Sequence, residues 1–179
     1  MATKIKRVGF GQVEPNHLSA QKTGQIYAQL PVKSTISILE NGQFAKYDYE
    51  NNEVNYTGDG EWMLVFNEVK TYDEPWRESY KDFALIKTNY VSGEMTPRLI
   101  KTNIGDIFTT NCLEVANTSG NATVETTETY EVGDQLGVSA TGYLSKAAKA
   151  GGYTGPVFNI VKIYTMPDGQ PGVKVQRIG

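Results

Sequence analysis

The chain has 179 residues, enough for one full-sized domain, or for one domain with an arm or a small second lobe. Its 39% hydrophobic content allows a buried core, and a net charge of −3 argues against nucleic-acid binding through a phosphate-neutralising surface. A single cysteine, Cys112, excludes an intramolecular disulfide and a Cys-rich metal site.

The first 31 residues read as an extended N-terminal arm, with isolated apolar residues and no sustained period of 2 or 3.6. They begin with basic residues but lack the apolar segment of a signal peptide. Nor does any stretch of the chain approach the ~20 apolar residues that span a bilayer. These features lead us to expect no membrane association and a protein made and used in a cytoplasm, or inside a particle assembled there. Charge divides unevenly. Residues 1–33 hold Lys4, Lys6, Arg7, Lys22 and Lys33 against Glu14 alone, so a stretch of +4 precedes a body of −7. An arm of this kind cannot bury much of itself and is expected to order by docking. Lys4, Lys6, Arg7, Phe10, His17, Leu18 and Tyr27 are its candidate partner-binding residues. The absence of an Arg cluster favours an acidic protein surface over nucleic acid as the partner.

Residues 32–179 read as a β-rich body, which two lobes (32–90 and 91–179) could make up. Thr35–Leu39 is a strand, Asn41-Gly42 a hairpin turn in which both residues tolerate positive φ, and Phe44–Tyr49 the return strand. Polar residues Glu50-Asn51-Asn52 turn the chain into Val54–Thr57, and Gly58-Asp59-Gly60 turns it again. The unbroken apolar run Trp62–Phe66 suits a strand buried on both faces or at an oligomer interface. An antiparallel meander follows from this order.

One helix is predicted, over 75–86. Pro75 follows two acids, and Trp76, Tyr80, Phe83 and Ala84 form one apolar stripe that packs it on the sheet. After it, Leu85–Asn89 recurs as Leu99–Asn103, as expected of two similar strands joined by a loop. The remainder alternates strand and turn. Strands are expected over Phe108–Val115, Ala122–Tyr130, Val132–Val138, Thr141–Leu144, Val157–Met166 and Val173–Ile178, with a flexible Ala/Gly loop over 147–155 and a turn at Pro167-Asp168-Gly169. About ten short strands at this spacing predict a mainly β fold, an antiparallel sandwich or barrel with one short helix.

Catalytic chemistry finds little purchase. The one histidine, His17, lies in the arm, where it is poorly placed to act as a base toward Cys112, and a hydrogen-bonding or stacking role at a contact suits it better. Cys112 reads as a buried, inert thiol. The acid pairs Asp59/Glu61, Asp73/Glu74 and Asp106/Glu114 could be imagined in glycoside hydrolysis. Each fits a turn, a helix start or a solvated strand face equally well. Gly58-Asp59-Gly60 lacks the spacing of a calcium loop, and no phosphate-binding glycine motif stands at a strand–helix junction. The expectation is a protein without catalytic residues, cofactor or metal. Trp62, Trp76 and the 11 tyrosines leave open a surface that stacks on sugars.

Ile104–Phe108 and Val132–Val138, the latter followed by Thr141–Leu144, carry a pattern of Gly-Asp before an apolar residue and a later Gly. This resembles the small β-barrel decoration (cement) proteins on the heads of tailed bacteriophages. The resemblance implies a virion structural protein on the capsid surface, binding the major capsid protein as a homo-oligomer, with a trimer favoured. The alternative is a carbohydrate- or receptor-binding β module of a phage tail or adhesin.

Overall fold

A computed structural model describes residues 1–14, 28–67, 84–86, 96–116 and 123–179. The fold is mainly β, as expected, and among the described residues the paired strands run antiparallel. Seven strands come from the first part of the chain: β1 (Lys6–Val8), β2 (Val13–Glu14), β3 (Ile38–Glu40), β4 (Phe44–Asp48), β5 (Glu53–Asn55), β6 (Met63–Val65) and β7 (Ala84–Ile86). Seven more follow: β8 (Leu99–Ile100), β9 (Ile107–Thr110), β10 (Thr123–Glu125), β11 (Gln135–Val138), β12 (Leu144–Ser145), β13 (Phe158–Thr165) and β14 (Pro171–Arg177). A six-stranded sheet in the order β12-β11-β13-β14-β9-β2 curls into a half-barrel. A four-stranded sheet, β5-β4-β6-β8, lies against it, and two-stranded pairs β1-β10 and β3-β7 complete the described part.

The four-stranded sheet is the wall between two cores. Phe44, Leu64 and Ile100 stand in one cross-strand row and face the six-stranded sheet, where they meet Phe108, Leu136, Phe158 and Val175. Their sequence neighbours Ala45, Met63, Val65 and Leu99 point the other way, into a cluster with Val32, Leu39, Tyr47 and Val54. The period of 2 in a strand puts alternate residues on opposite faces. A strand with apolar neighbours on both sides therefore has no polar positions. That explains the apolar run at Trp62–Phe66, whose Met63, Leu64 and Val65 are all buried within the chain. Phe44, Phe108 and Phe158 pack as tilted and edge-on rings with centroids 5.2–6.3 Å apart, the geometry that the ring quadrupole favours.

Four expectations need correction. Asn41-Gly42 does turn the chain, with Gly42 at φ +91° and the Gln43 N–H donating to the Glu40 carbonyl, but the flanking strands do not pair. β3 ladders with β7, whereas β4 lies between β5 and β6. The Asn41 side chain is clamped to both backbone groups of Asn67, and Gly42 N–H donates to Val65 O. This ties the turn to the end of β6 and lets the strands diverge.

The helix expected over 75–86 runs into β7, so Ala84–Ile86 are strand residues; Trp76, Tyr80 and Phe83 lie outside the described residues. The two halves of the Leu-Ile-Lys-Thr-Asn echo do contribute strands, β7 and β8, but to different sheets. The helix that is described instead, α1 (Lys146–Lys149), falls where a flexible loop was expected. Ser145 caps it, and the Glu128 carboxylate accepts from the Lys146 and Ala147 N–H groups at 2.8 Å each. An acid at a helix N-terminus satisfies donors that lack intrahelical partners. This one comes from 18 residues upstream.

The fourth correction concerns the arm. Residues 1–14 are built into the body: β1 pairs with β10, β2 pairs with β9, and Thr3 bridges to Tyr130. Ile5 and Phe10 are buried. The segment docks on its own chain because Ile5 and Arg7, two residues apart, both face inward and Phe10 adds a third buried side chain beyond them.

Candidate functional site

Among the described residues, polar chemistry meets a fixed geometry in a buried node beneath the N-terminal strand and in a cleft between the two large sheets.

The node is centred on Glu40 at the end of β3. Its Oε2 accepts from Arg7 Nη2 at 2.7 Å and from the Tyr143 hydroxyl at 3.1 Å, with the Cys112 thiol at 3.8 Å. Arg7 also donates from Nη1 to the Gly9 carbonyl. The Glu40 N–H donates to Gln43 Oε1, whose amide reaches Tyr56 and the Thr141 carbonyl. Burial disfavours the Arg7 charge, yet Glu40, with smaller help from Cys112 and Tyr143, holds its pKa above the ordinary value. The same burial, reinforced by Glu40, pushes the Cys112 thiol well up, so the thiolate that a nucleophile requires is suppressed. The Tyr143 hydroxyl is likewise held protonated, first by burial and then by the neighbouring Cys112 and Glu40. These groups are donors around one carboxylate, and their chemistry is that of a staple joining the N-terminal strand, the end of β3, the segment after β9 and the β11–β12 turn.

The cleft has a volume of about 410 Å³ and is lined by Lys46 of β4, Glu61 and Trp62 before β6, Tyr153 to Pro156 from the loop before β13, and Arg177 at the end of β14. Glu61 is held by Lys101 at 3.1 Å and by Arg177 at 3.0 Å. The Arg177 guanidinium also donates to the Thr102 carbonyl and hydroxyl. The Lys46 ammonium lies 4.9 Å from the Trp62 ring centroid. The Tyr153 hydroxyl accepts the Val138 N–H at 2.8 Å, which fixes the ring.

No family model, curated protein or solved structure matches this chain.

Of the seven arm residues singled out in the sequence, Lys4 and Lys6 are exposed, and Lys6 forms an ion pair with Glu125 at 3.4 Å. Arg7 and Phe10 are buried in the body and are not available to a partner in this arrangement. His17, Leu18 and Tyr27 lie outside the described residues. Among the candidate acids, Asp106 caps its own turn, Asp59 is exposed on the connection that carries the chain past β4 from β5 to β6, and Glu114 accepts from Thr141. Asp73 and Glu74 lie outside the described residues. Among the described residues, no three His, Cys, Asp or Glu side chains are grouped to hold a metal ion.

The sequence reasoning missed Glu40, Lys46, Tyr153 and Arg177, and it paired Glu61 with Asp59 where the structure pairs it with Lys101 and Arg177. Their partners lie 15 to 116 residues away, and no local pattern marks them.

Proposed function

We propose that this protein is a non-enzymatic structural protein that decorates the capsid surface of a tailed phage, binding the major capsid protein as a homo-oligomer. The observation that best supports the reading is a pair of equivalent turns carrying exposed apolar tips. In each, a glycine at φ +94° (Gly105) or +96° (Gly133) precedes an aspartate. Asp106 accepts the Asn103 N–H at 2.7 Å, and Asp134 accepts the Glu131 N–H at 2.9 Å. Ile104 and Val132, the residues before the glycines, are 73% and 61% exposed. Gly105 N–H donates to Arg177 O and Gly133 N–H to Ile160 O, so each tip stands next to a second exposed apolar residue, Ile178 or Val161. Apolar groups held out on rigid turns suit a contact surface, because little side-chain or loop freedom is lost when they are covered. These are also the turns that carry the resemblance to head decoration proteins.

The arm's part in this reading is narrower than the sequence implied. With Arg7 and Phe10 committed internally, Lys4 and Lys6 are the exposed cations among the described residues of the arm.

The test is to mix the protein with assembled shells of the capsid protein encoded beside its gene and to sediment the particles. Saturable co-sedimentation, weakened by Lys4→Glu/Lys6→Glu and removed by Ile104→Glu/Val132→Glu, is expected, together with a trimeric native mass. Protein that stays in the supernatant, or a gene with no capsid gene beside it, would overturn the reading.

A further inference from the structure

We propose that the cleft between the two sheets is a binding site for a neutral saccharide of one to three pyranose units. The inference is independent of the capsid reading, since it concerns a small ligand and side chains that the capsid reading does not use.

Size is the first consideration. About 410 Å³ falls within the range of small-molecule sites and is too small for a folded partner. Wall chemistry is the second. Trp62 and Tyr153 line the cleft from different segments, the residue before β6 and the loop before β13, and supply flat apolar surfaces. Lys46, Glu61, Thr154 and Arg177 share the lining with them and together offer both donors and acceptors. A pyranose has that composition: C–H groups on its faces and hydroxyls, each both donor and acceptor, around its edge.

Charge then selects among ligands of this size. An anionic ligand needs a cation without a partner, and the cleft cations already have them. Arg177 is bound to Glu61 and Thr102, Lys101 is bound to Glu61, and Lys46 sits over Trp62. Arg177 and Lys101 could meet an anion only by giving up Glu61, whose carboxylate would itself repel that anion, and Lys46 alone is weakly held, whereas a hydroxyl can add to all of these groups. Neutral polyols are favoured on this ground. The Lys46 ammonium occupies the space above Trp62 that a sugar face would take. Its long flexible stem can swing aside and donate to a ring hydroxyl, and a single cation–π contact of this kind is weak enough to be exchanged.

The walls are set before any ligand arrives. Tyr153 is fixed by its bond from Val138 N–H, and its ring lies so close over Gly155 that a side chain there would strike its hydroxyl. Glu61 is held from two sides. Binding therefore orders few groups.

Ligand-observed NMR and calorimetry with maltotriose, cellobiose, chitobiose and galactobiose, and with glucuronate as the anionic control, test the proposal on the full chain. At least one neutral sugar should bind with a Kd of about 1 mM or tighter, the weak end of specific recognition. Glucuronate should bind at least about tenfold more weakly. Trp62→Ala should weaken binding by about tenfold or more. Because Trp62 also packs against the core, Thr154→Arg, at an exposed rim position, provides a second variant; it should block the cleft and abolish binding while leaving the unfolding midpoint unchanged. Lack of binding by every neutral sugar, tighter binding of glucuronate, or a Thr154→Arg protein that binds as well as the parent would each overturn the assignment.

Discussion

Arg7 donates to Glu40 at 2.7 Å across 33 residues of sequence, with both side chains 2% exposed or less. An ion pair so deeply buried gains little over a well-packed apolar pair of the same volume, but breaking it leaves an uncompensated charge. Glu40→Ala is expected to cost about 3–5 kcal/mol, read as a lower urea midpoint. The double variant Arg7→Met/Glu40→Met should recover much of that loss, because neither charge remains. A double variant as unstable as Glu40→Ala alone would show that the pair is not what holds this node.

Deleting residues 1–14 removes β1 and β2, uncovers the sites of Ile5 and Phe10, and leaves Glu40 without Arg7. The truncated chain should be largely unfolded at 25 °C, lacking near-ultraviolet circular dichroism and dispersed amide resonances. A truncated chain that keeps the parent's spectrum would mean that the N-terminal segment is an accessory to the body and no part of it.

Two glycines in left-handed backbone should respond differently to alanine. At Gly133 (φ +96°) a Cβ meets nothing within 4 Å, so Gly133→Ala should cost only the conformational strain, about 1 kcal/mol. At Gly142 (φ +84°) the added Cβ would run into the Phe44 carbonyl oxygen, which accepts no relief from a flexible side chain. Gly142→Ala should cost clearly more, about 2–3 kcal/mol. Chemical denaturation of both variants under one condition gives the comparison, and equal losses would contradict it.

Burial raises the pKa of Tyr56, Tyr130 and Tyr143 above the ordinary 10.0, assisted by Cys112 at Tyr56 and Tyr143 and by Glu128 at Tyr130. Because the folded-state values are the higher ones, the unfolded chain loses protons first as pH rises. Their contribution to stability is complete below about pH 10 and declines above it. The urea midpoint should therefore fall above about pH 10, with tyrosinate absorbance appearing together with unfolding. Cys112, fully buried and with its thiol raised, should react with a disulfide reagent only as fast as the protein opens. Tyrosinate appearing ahead of unfolding, or rapid thiol labelling of the native protein, would refute this account.

Much of the local structure was legible from the residues. The Gly-Asp turns, the strand at Val157–Met166, the turn at Pro167-Asp168-Gly169 and the two-faced burial of Trp62–Phe66 follow from φ preferences and alternation, which act over a few residues. Helix α1 was not legible, because one of its caps is the remote Glu128 carboxylate. The cleft was not legible either. Trp62 stood out as an aromatic in the sequence, but nothing near it announced Tyr153 or Arg177.

By itself, then, the sequence determined a β-rich chain, the positions of most of its turns and the apolar character of its central strand, since these depend on short-range sterics and on which faces are apolar. Only the tertiary structure decided where the strands after Asn41-Gly42 would go, that the first 14 residues belong to the body, and that Arg7 would meet Glu40. Those outcomes depend on burial and on partners far apart in the chain, where the choice between pairings rests on the packing of the whole core.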